Sequence, residues 1–475
     1  MSLAATNPPA TAGSAAHSET RKLWRVFLLA LVAVMVFSAG NLLDPMVRYD
    51  DFPALLAEPE GFWFKTLAEG RWLNYVWHLR GVVTPAWLNF AVYQALWALL
   101  AASLAVAVLP GRGRMWFAGL LALTILVAPP ALFIAMWFNT LLPGLAVIAI
   151  YAALSAGVSQ RTLRLLLPVF TVAAFMAYTT YPLVLLAVCL ARTEKRSLRD
   201  LAGLIALFVG SIVLAMLATY ALNWVYHGVF GVELDISRKP TPAHDLAGLI
   251  ANVEHLGTTF GGFLERSAFK FTPLVYFHLA LFALSTVVLA RRAPMEALYY
   301  HAGLWLGMGL VVAQVLKLGI FVPSRAFQFA WIYYAIIIVR STEILSLKPG
   351  MAGRMARNAV LLITCSYLLQ ATIQYTIFRN WQAETRAVAA DLRGLPGPVY
   401  VVGDVMNHPS ADEAGIQQHI AIDGRLRQLT GQGAIVCADT PAACAGLPDF
   451  PASDNPKMRV ERIDGMSVVV IPPQG

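Results

Sequence analysis

The chain has 475 residues, of which 58% are hydrophobic and 13% charged. A soluble globular protein carries about a quarter charged residues, so composition excludes an ordinary soluble domain and implies a polytopic membrane protein. The net charge of +8 comes from short basic clusters between apolar runs. That is the distribution of the positive-inside rule rather than of a nucleic-acid surface.

Residues 1–20 are rich in Ala, Ser, Thr, Gly and Pro and read as a disordered cytoplasmic tail. The first apolar run, about Leu23 to Leu43, is too long and too poor in cleavage signals for a secretory leader. Arg21, Lys22 and Arg25 precede it and place its start in the cytoplasm. Spans follow at about Val83–Leu109, Met115–Trp137 and Leu141–Val158. Leu165–Ala191 is too short for two full crossings, which need about 40 residues. Yet its two flanks, Arg161/Arg164 and Arg192/Lys195/Arg196/Arg199, are both basic. The expectation is two short helices folded at Tyr178–Pro182; one long span with reversed topology downstream is the alternative. Further spans read at Leu201–Tyr226, Phe271–Ala290, Met295–Leu318, Ala326–Leu347 and Ala359–Phe378. The total is about eleven crossings, which puts the C-terminus outside. The transmembrane domain thus covers 21–378, with outer loops 44–82 and 227–270.

From 379 to 475 the composition is that of a small periplasmic α/β domain. Val399–Asp404 and Ala434–Cys437 read as strands, 410–429 as helix, and Met458–Glu461 with Met466–Ile471 as a hairpin turning at Asp464-Gly465. Cys437 and Cys444 are a candidate disulfide in an oxidising compartment, with two unpaired thiols as the alternative.

The loop 44–82 holds Asp44, Asp50, Asp51, Glu58, Glu60 and Glu69, with Arg48, Lys65, Arg71 and Arg80 interleaved with aromatic rings. Asp50 and Asp51 point in different directions in either a helix or a strand, so they cannot form a symmetrical dyad. One is a candidate general base for an acceptor hydroxyl; the other orients it or joins in holding Mg or Mn. Read structurally, Asp51 before Pro53 is a helix cap.

Asp50-Asp51 followed by Glu69-Gly70-Arg71-Trp72-Leu73, many spans and a small outer domain resembles the bacterial membrane glucosyltransferases that decorate O-antigen, the Gtr type. More broadly it resembles the GT-C superfamily of integral-membrane glycosyltransferases. The resemblance implies a GT-C-like helical fold, an inverting transfer, a carboxylate base in the first outer loop and a polyprenyl-phosphate-linked sugar donor. It also implies a glycan acceptor at the outer face of the inner membrane. A Tyr-Gln pair expected at the bend reads Tyr181-Pro182 here. Such a donor needs cations for the leaving phosphate. The candidates are Arg71, Arg80, Lys270, Lys317 and Arg325, with Glu69, Trp72 and Tyr181 for sugar or acceptor. Arg325 has a structural alternative as an interfacial side chain. His278 and His301 read as hydrogen-bonded packing residues. The rival class is a transporter or lipid flippase, with Lys317, His301 and the broken helix as its centre.

Overall fold

The computed structural model describes residues 12–109, 115–448, 450 and 457–472. It is mostly helical, with one small sheet near the C-terminus. The expected tail lies outside the described residues up to position 11. From Ala12 the chain is already helical, so the first helix starts well before the apolar run.

The bundle is formed by α1 (Ala12–Phe37), α2 (Ala86–Val108), α3 (Met115–Leu126), α4 (Phe138–Leu154), α5 (Gln160–Phe175), α6 (Tyr181–Ala191), α7 (Leu198–His227), α8 (Thr272–Arg292), α9 (Pro294–Leu318), α10 (Gln328–Leu345) and α11 (Met351–Gln374). Among the described residues, six helical segments are long and apolar enough to cross a membrane: 86–108, 129–154, 198–227, 272–292, 294–318 and 351–392. α3 and α6 are apolar but short. α1 carries Arg21, Lys22 and Arg25 within it, and α10 carries Arg340 and Glu343. The two halves of the bundle differ in packing. The 86–108 helix is 72% buried by its neighbours, whereas 272–292 is 11% buried and presents its apolar surface outward.

The bend at Tyr178–Pro182 is present. α5 and α6 form a hairpin whose far ends meet, because Arg164 at the start of α5 donates to Thr193 just after α6 at 3.1 Å. This geometry matches the two-short-helix expectation. Pro182 starts α6, where its missing N–H costs nothing.

After α11, α12 (Arg379–Leu392) leads into a four-stranded mixed sheet. Its strands are β1 (Val399–Val402), β2 (Ala434–Val436), β3 (Arg459–Ile463) and β4 (Met466–Val470), in the order β2-β1-β4-β3. β1 runs parallel to both neighbours, and β3 and β4 form the expected antiparallel hairpin. The helix expected over 410–429 is broken at Gly415, which has φ +65°, so only α13 (Ala421–Thr430) is long. Cys437 and Cys444 are disulfide-bonded.

This domain rests on the 44–82 loop. Arg425 of α13 forms a bidentate pair with Asp44 at 2.7 and 2.6 Å. Arg427 pairs with Glu58. Phe52 packs against Gly424, where a Cβ would come within 2.3 Å of the ring.

Candidate active site

The site begins at a single turn, Tyr49–Asp51, that joins the first span to a short helix, Phe52–Leu55. Pro53 fixes the start of that helix. The turn sends the adjacent carboxylates into different surroundings.

Asp51 is fully buried. It sits at the N-terminus of α4 and accepts hydrogen bonds from the backbone N–H of Thr140 at 2.6 Å and of Asn139 at 3.1 Å. The Asn139 side-chain amide donates to it at 2.8 Å. It is therefore a helix cap, but one that acts across the fold rather than on its own short helix, where it makes no cap bond. The N–H groups of a first helical turn lack intrahelical acceptors, so a carboxylate there satisfies them. Burial pushes its pKa up to about 6, against the opposing pull of the Thr140 and Asn139 bonds.

Asp50 faces a charged pocket. Lys65 donates to it at 2.7 Å and Trp137 Nε1 donates to its other oxygen. Burial alone would raise its pKa, but the Lys65 charge and hydrogen bond, the Trp137 bond and Arg71 together hold it below the usual carboxylate value. The group is thus ionised at neutral pH. A carboxylate has about four acceptor positions, so lone pairs remain for a hydroxyl.

Around Asp50 the cations are in excess. Glu69 pairs with Arg71 and, at 2.6 Å, with Arg238. The Arg71 guanidinium lies 5.5 Å from the Tyr178 ring. Arg325 lies over the Trp137 ring at 4.4 Å, and Arg48 approaches the same ring at 5.7 Å. Arg48 also donates to the carbonyl of Gly415 in the C-terminal domain. Burial lowers the Arg48 pKa against the opposing effect of Asp50. Arg48, Lys65, Arg71, Arg238 and Arg325 therefore outnumber Asp50, Glu69 and Asp235, which lies within electrostatic reach of Tyr49. Among the described residues Arg325 has no carboxylate partner.

Other expected site residues lie elsewhere. Arg80 gives its donors to the carbonyls of Trp77, Ala54 and Leu55 and stacks on Trp77, so it ties the loop together. Lys317 donates to the carbonyl of Ala243 at 2.5 Å, which pins the 227–270 loop. Lys270 is exposed at the turn before α8. Trp72 is buried among Trp63, Tyr75, Tyr226 and His227, and its indole donates to Asn223 at 2.7 Å; it binds the loop to α7 and offers no open face. Tyr181 is buried at the bend with its ring 5.3 Å from Tyr178. His278 bonds Tyr334 and Tyr367, while His301 bonds Thr286. The packing reading of both histidines agrees with these contacts.

The donor set does not suit Mg or Mn. Lys65 occupies Asp50, three N–H groups occupy Asp51, and cations surround the pair. Among the described residues no three His, Cys, Asp or Glu side chains form a metal-binding group.

Sequence reasoning missed Trp137, Tyr178 and Arg238 as parts of this site, and treated Arg48 and Lys65 only as loop charges. Trp137 closes the expected Met115–Trp137 span and immediately precedes α4, so its position at the end of an expected span was the available signal.

No known family model matches the chain, and no curated protein is detectably similar to it in sequence.

Proposed function

We propose that the protein is an inverting membrane glycosyltransferase that uses a polyprenyl-phosphate-linked sugar, a hexose such as glucose. The acceptor is a cell-surface or lipid-linked glycan such as O-antigen. The observation that carries this reading is one ionised carboxylate, Asp50, set among Lys65, Arg71, Arg238 and Arg325 at one end of an apolar bundle. Asp50 takes the proton from an acceptor hydroxyl as that oxygen bonds the anomeric carbon. The bond from the anomeric carbon to the phosphate oxygen breaks, and polyprenyl phosphate leaves with an added negative charge. Arg325, with no acid of its own, and the Arg71–Glu69–Arg238 group offer preorganised donors for that charge. A lipid-anchored donor fits a site at the membrane surface and needs no nucleotide-binding fold.

In this reading the five helices below the length or composition threshold, α1, α3, α5, α6 and α10, also cross or enter the bilayer, which restores about eleven passages. The N-terminus is then cytoplasmic, and the disulfide-bonded domain lies in the periplasm of a bacterial inner membrane.

The test is mass spectrometry of surface glycans from cells with the wild-type chain, no chain, or Asp50→Asn at matched membrane level. Loss of one hexose mass in both the null and Asp50→Asn supports the reading. An unchanged glycan in all three overturns it in favour of a transporter or flippase, with Lys317 tested next by substrate uptake into vesicles.

A further inference from the structure

The end of the bundle opposite Asp50 carries a groove between α5 and α7. Gln160, Arg161, Arg164, Leu165 and Pro168 line it from α5 and Leu207 from α7, around a volume of about 480 Å³. Pro168 lies inside α5. A proline there removes the hydrogen bond to the carbonyl four residues earlier and bends the helix, which accounts for a gap between two helices that otherwise pack closely.

The groove is polar at its mouth and apolar along its length. Arg164 is held by Asp200 through bonds of 2.6 and 2.8 Å and by Thr193. Its buried Nε–H nevertheless has no acceptor. Gln160 is fixed by the backbone N–H of Glu194 at 3.3 Å. Arg161 at the mouth is exposed and has no acidic partner among the described residues, and the same holds for Lys195 and Arg199 nearby in the chain. The acids at this mouth are Asp200, committed to Arg164, and the exposed Glu194. Deeper, Leu165 is 70% exposed and Pro168 continues the lining. α7 itself is only 28% buried by the rest of the protein, which leaves most of its apolar surface open.

We propose that this groove is a binding site for an anionic phospholipid, with its phosphate at Arg161 and Arg164 and an acyl chain along Leu165, Pro168 and Leu207. The mouth supplies surplus positive charge, and the floor supplies apolar surface of the kind an acyl chain covers. Basic pockets between helices at a membrane surface select anionic headgroups on this basis. The assignment is independent of the chemistry at Asp50.

The experiment is native mass spectrometry of the full chain, released from detergent after equilibration with equal amounts of phosphatidylglycerol and phosphatidylethanolamine. The wild type is expected to retain phosphatidylglycerol preferentially. Arg161→Glu is expected to reduce that preference about fivefold or more, the scale of one basic residue at a lipid surface. Leu207→Trp, which fills the groove, is expected to lose the retained lipid of either kind. Melting temperatures of both variants near the wild-type value establish that they are folded. Equal retention of the two lipids by the wild type overturns the proposal. So does phosphatidylglycerol retention unchanged in both variants. Displacement of the lipid by millimolar inorganic phosphate would assign the mouth to a free anion and likewise overturn it.

Discussion

The two sides of the Tyr49–Asp51 turn are neighbours in sequence and opposites in physics. On one side Asp51 is sealed from water and accepts the backbone N–H groups of Asn139 and Thr140 at the start of α4. On the other, Asp50 is a partly exposed anion among cations. The lesson is that a carboxylate's role follows from what remains open around it. Asp51 has its acceptors committed to holding a helix, while Asp50 keeps lone pairs and a surplus of positive charge beside it. The comparison assigns the chemistry to Asp50 and the architecture to Asp51, and it can be broken by exchanging the two effects.

The largest expected effect is on transfer. Asp50→Asn should lower the rate by about 10²–10⁴-fold, the usual contribution of a general base, with little change in melting temperature. Asp51→Ala should do the reverse in kind. It leaves buried N–H groups of Asn139 and Thr140 without acceptors, at a cost of about 1–3 kcal/mol. That should lower the melting temperature in detergent and reduce the level of folded protein. If Asp51→Asn protein that melts normally has lost transfer while Asp50→Asn retains it, the assignment is reversed.

The next effect is on donor recognition. Arg325→Ala should raise KM for the lipid-linked sugar by roughly tenfold, as expected for loss of a charge-assisted contact, and Arg325→Lys should recover part of it. Arg80→Ala, whose donors serve loop carbonyls, should alter stability more than KM. Steady-state kinetics with a polyprenyl-phosphate sugar distinguish the two.

Asp51 also predicts a pH dependence. Its pKa is about 6 in the folded chain, against about 3.9 for an unperturbed Asp. Between those values the folded state binds more protons than the unfolded state, so stability contributed by this group falls as pH rises from about 4 to 6. A neutral amide at the same buried position does not titrate and carries no penalty for burying a charge. The melting-temperature difference between wild type and Asp51→Asn should therefore favour the wild type most at low pH and shrink as pH rises. His78 works in the opposite direction. Burial lowers its pKa to about 4, so its contribution is lost as pH falls below about 6.5. His78 is common to both proteins and cancels in the difference. A difference that does not vary with pH would show that Asp51 is not raised.

Much of the fold was legible because long apolar runs and basic clusters are coarse signals. The α5–α6 hairpin was legible from an arithmetic conflict between two basic flanks and too few residues for two full spans. The mixed sheet showed in the β-branched runs at 399–402, 434–436 and 466–470. The site was legible only as a neighbourhood. Asp50 and Asp51 could be singled out, and Pro53 hinted at a capping role for Asp51, but nothing local decides which is the base, because the Thr140 N–H that separates their roles lies in a different helix. Arg80 and Lys317 looked like phosphate ligands by charge and depth, yet nearby backbone carbonyls compete for the same donors. Arg238 was hidden in a long polar loop whose path over Glu69 depends on tertiary contacts.

The smallest effect concerns the docking of the C-terminal domain on the loop that bears the site. Arg425 and Asp44 form a bidentate pair, with the arginine side chain only 4% exposed; Arg427 and Glu58 form a second pair, each about a third exposed. Removing one partner of a largely buried pair strands the other, whereas an exposed pair is worth about 0–1 kcal/mol. Arg425→Ala should therefore loosen the domain, measured as faster hydrogen exchange in the Tyr49–Phe52 segment, because Arg48 reaches the Gly415 carbonyl across the same contact. Arg427→Ala should change exchange there little, and any change should vanish at high salt. Equal protection in the wild type and both variants would mean that Phe52 against Gly424 holds the domain without help from charge. The turn would then be positioned by packing, and the contrast between Asp50 and Asp51 would survive loss of the ion pairs.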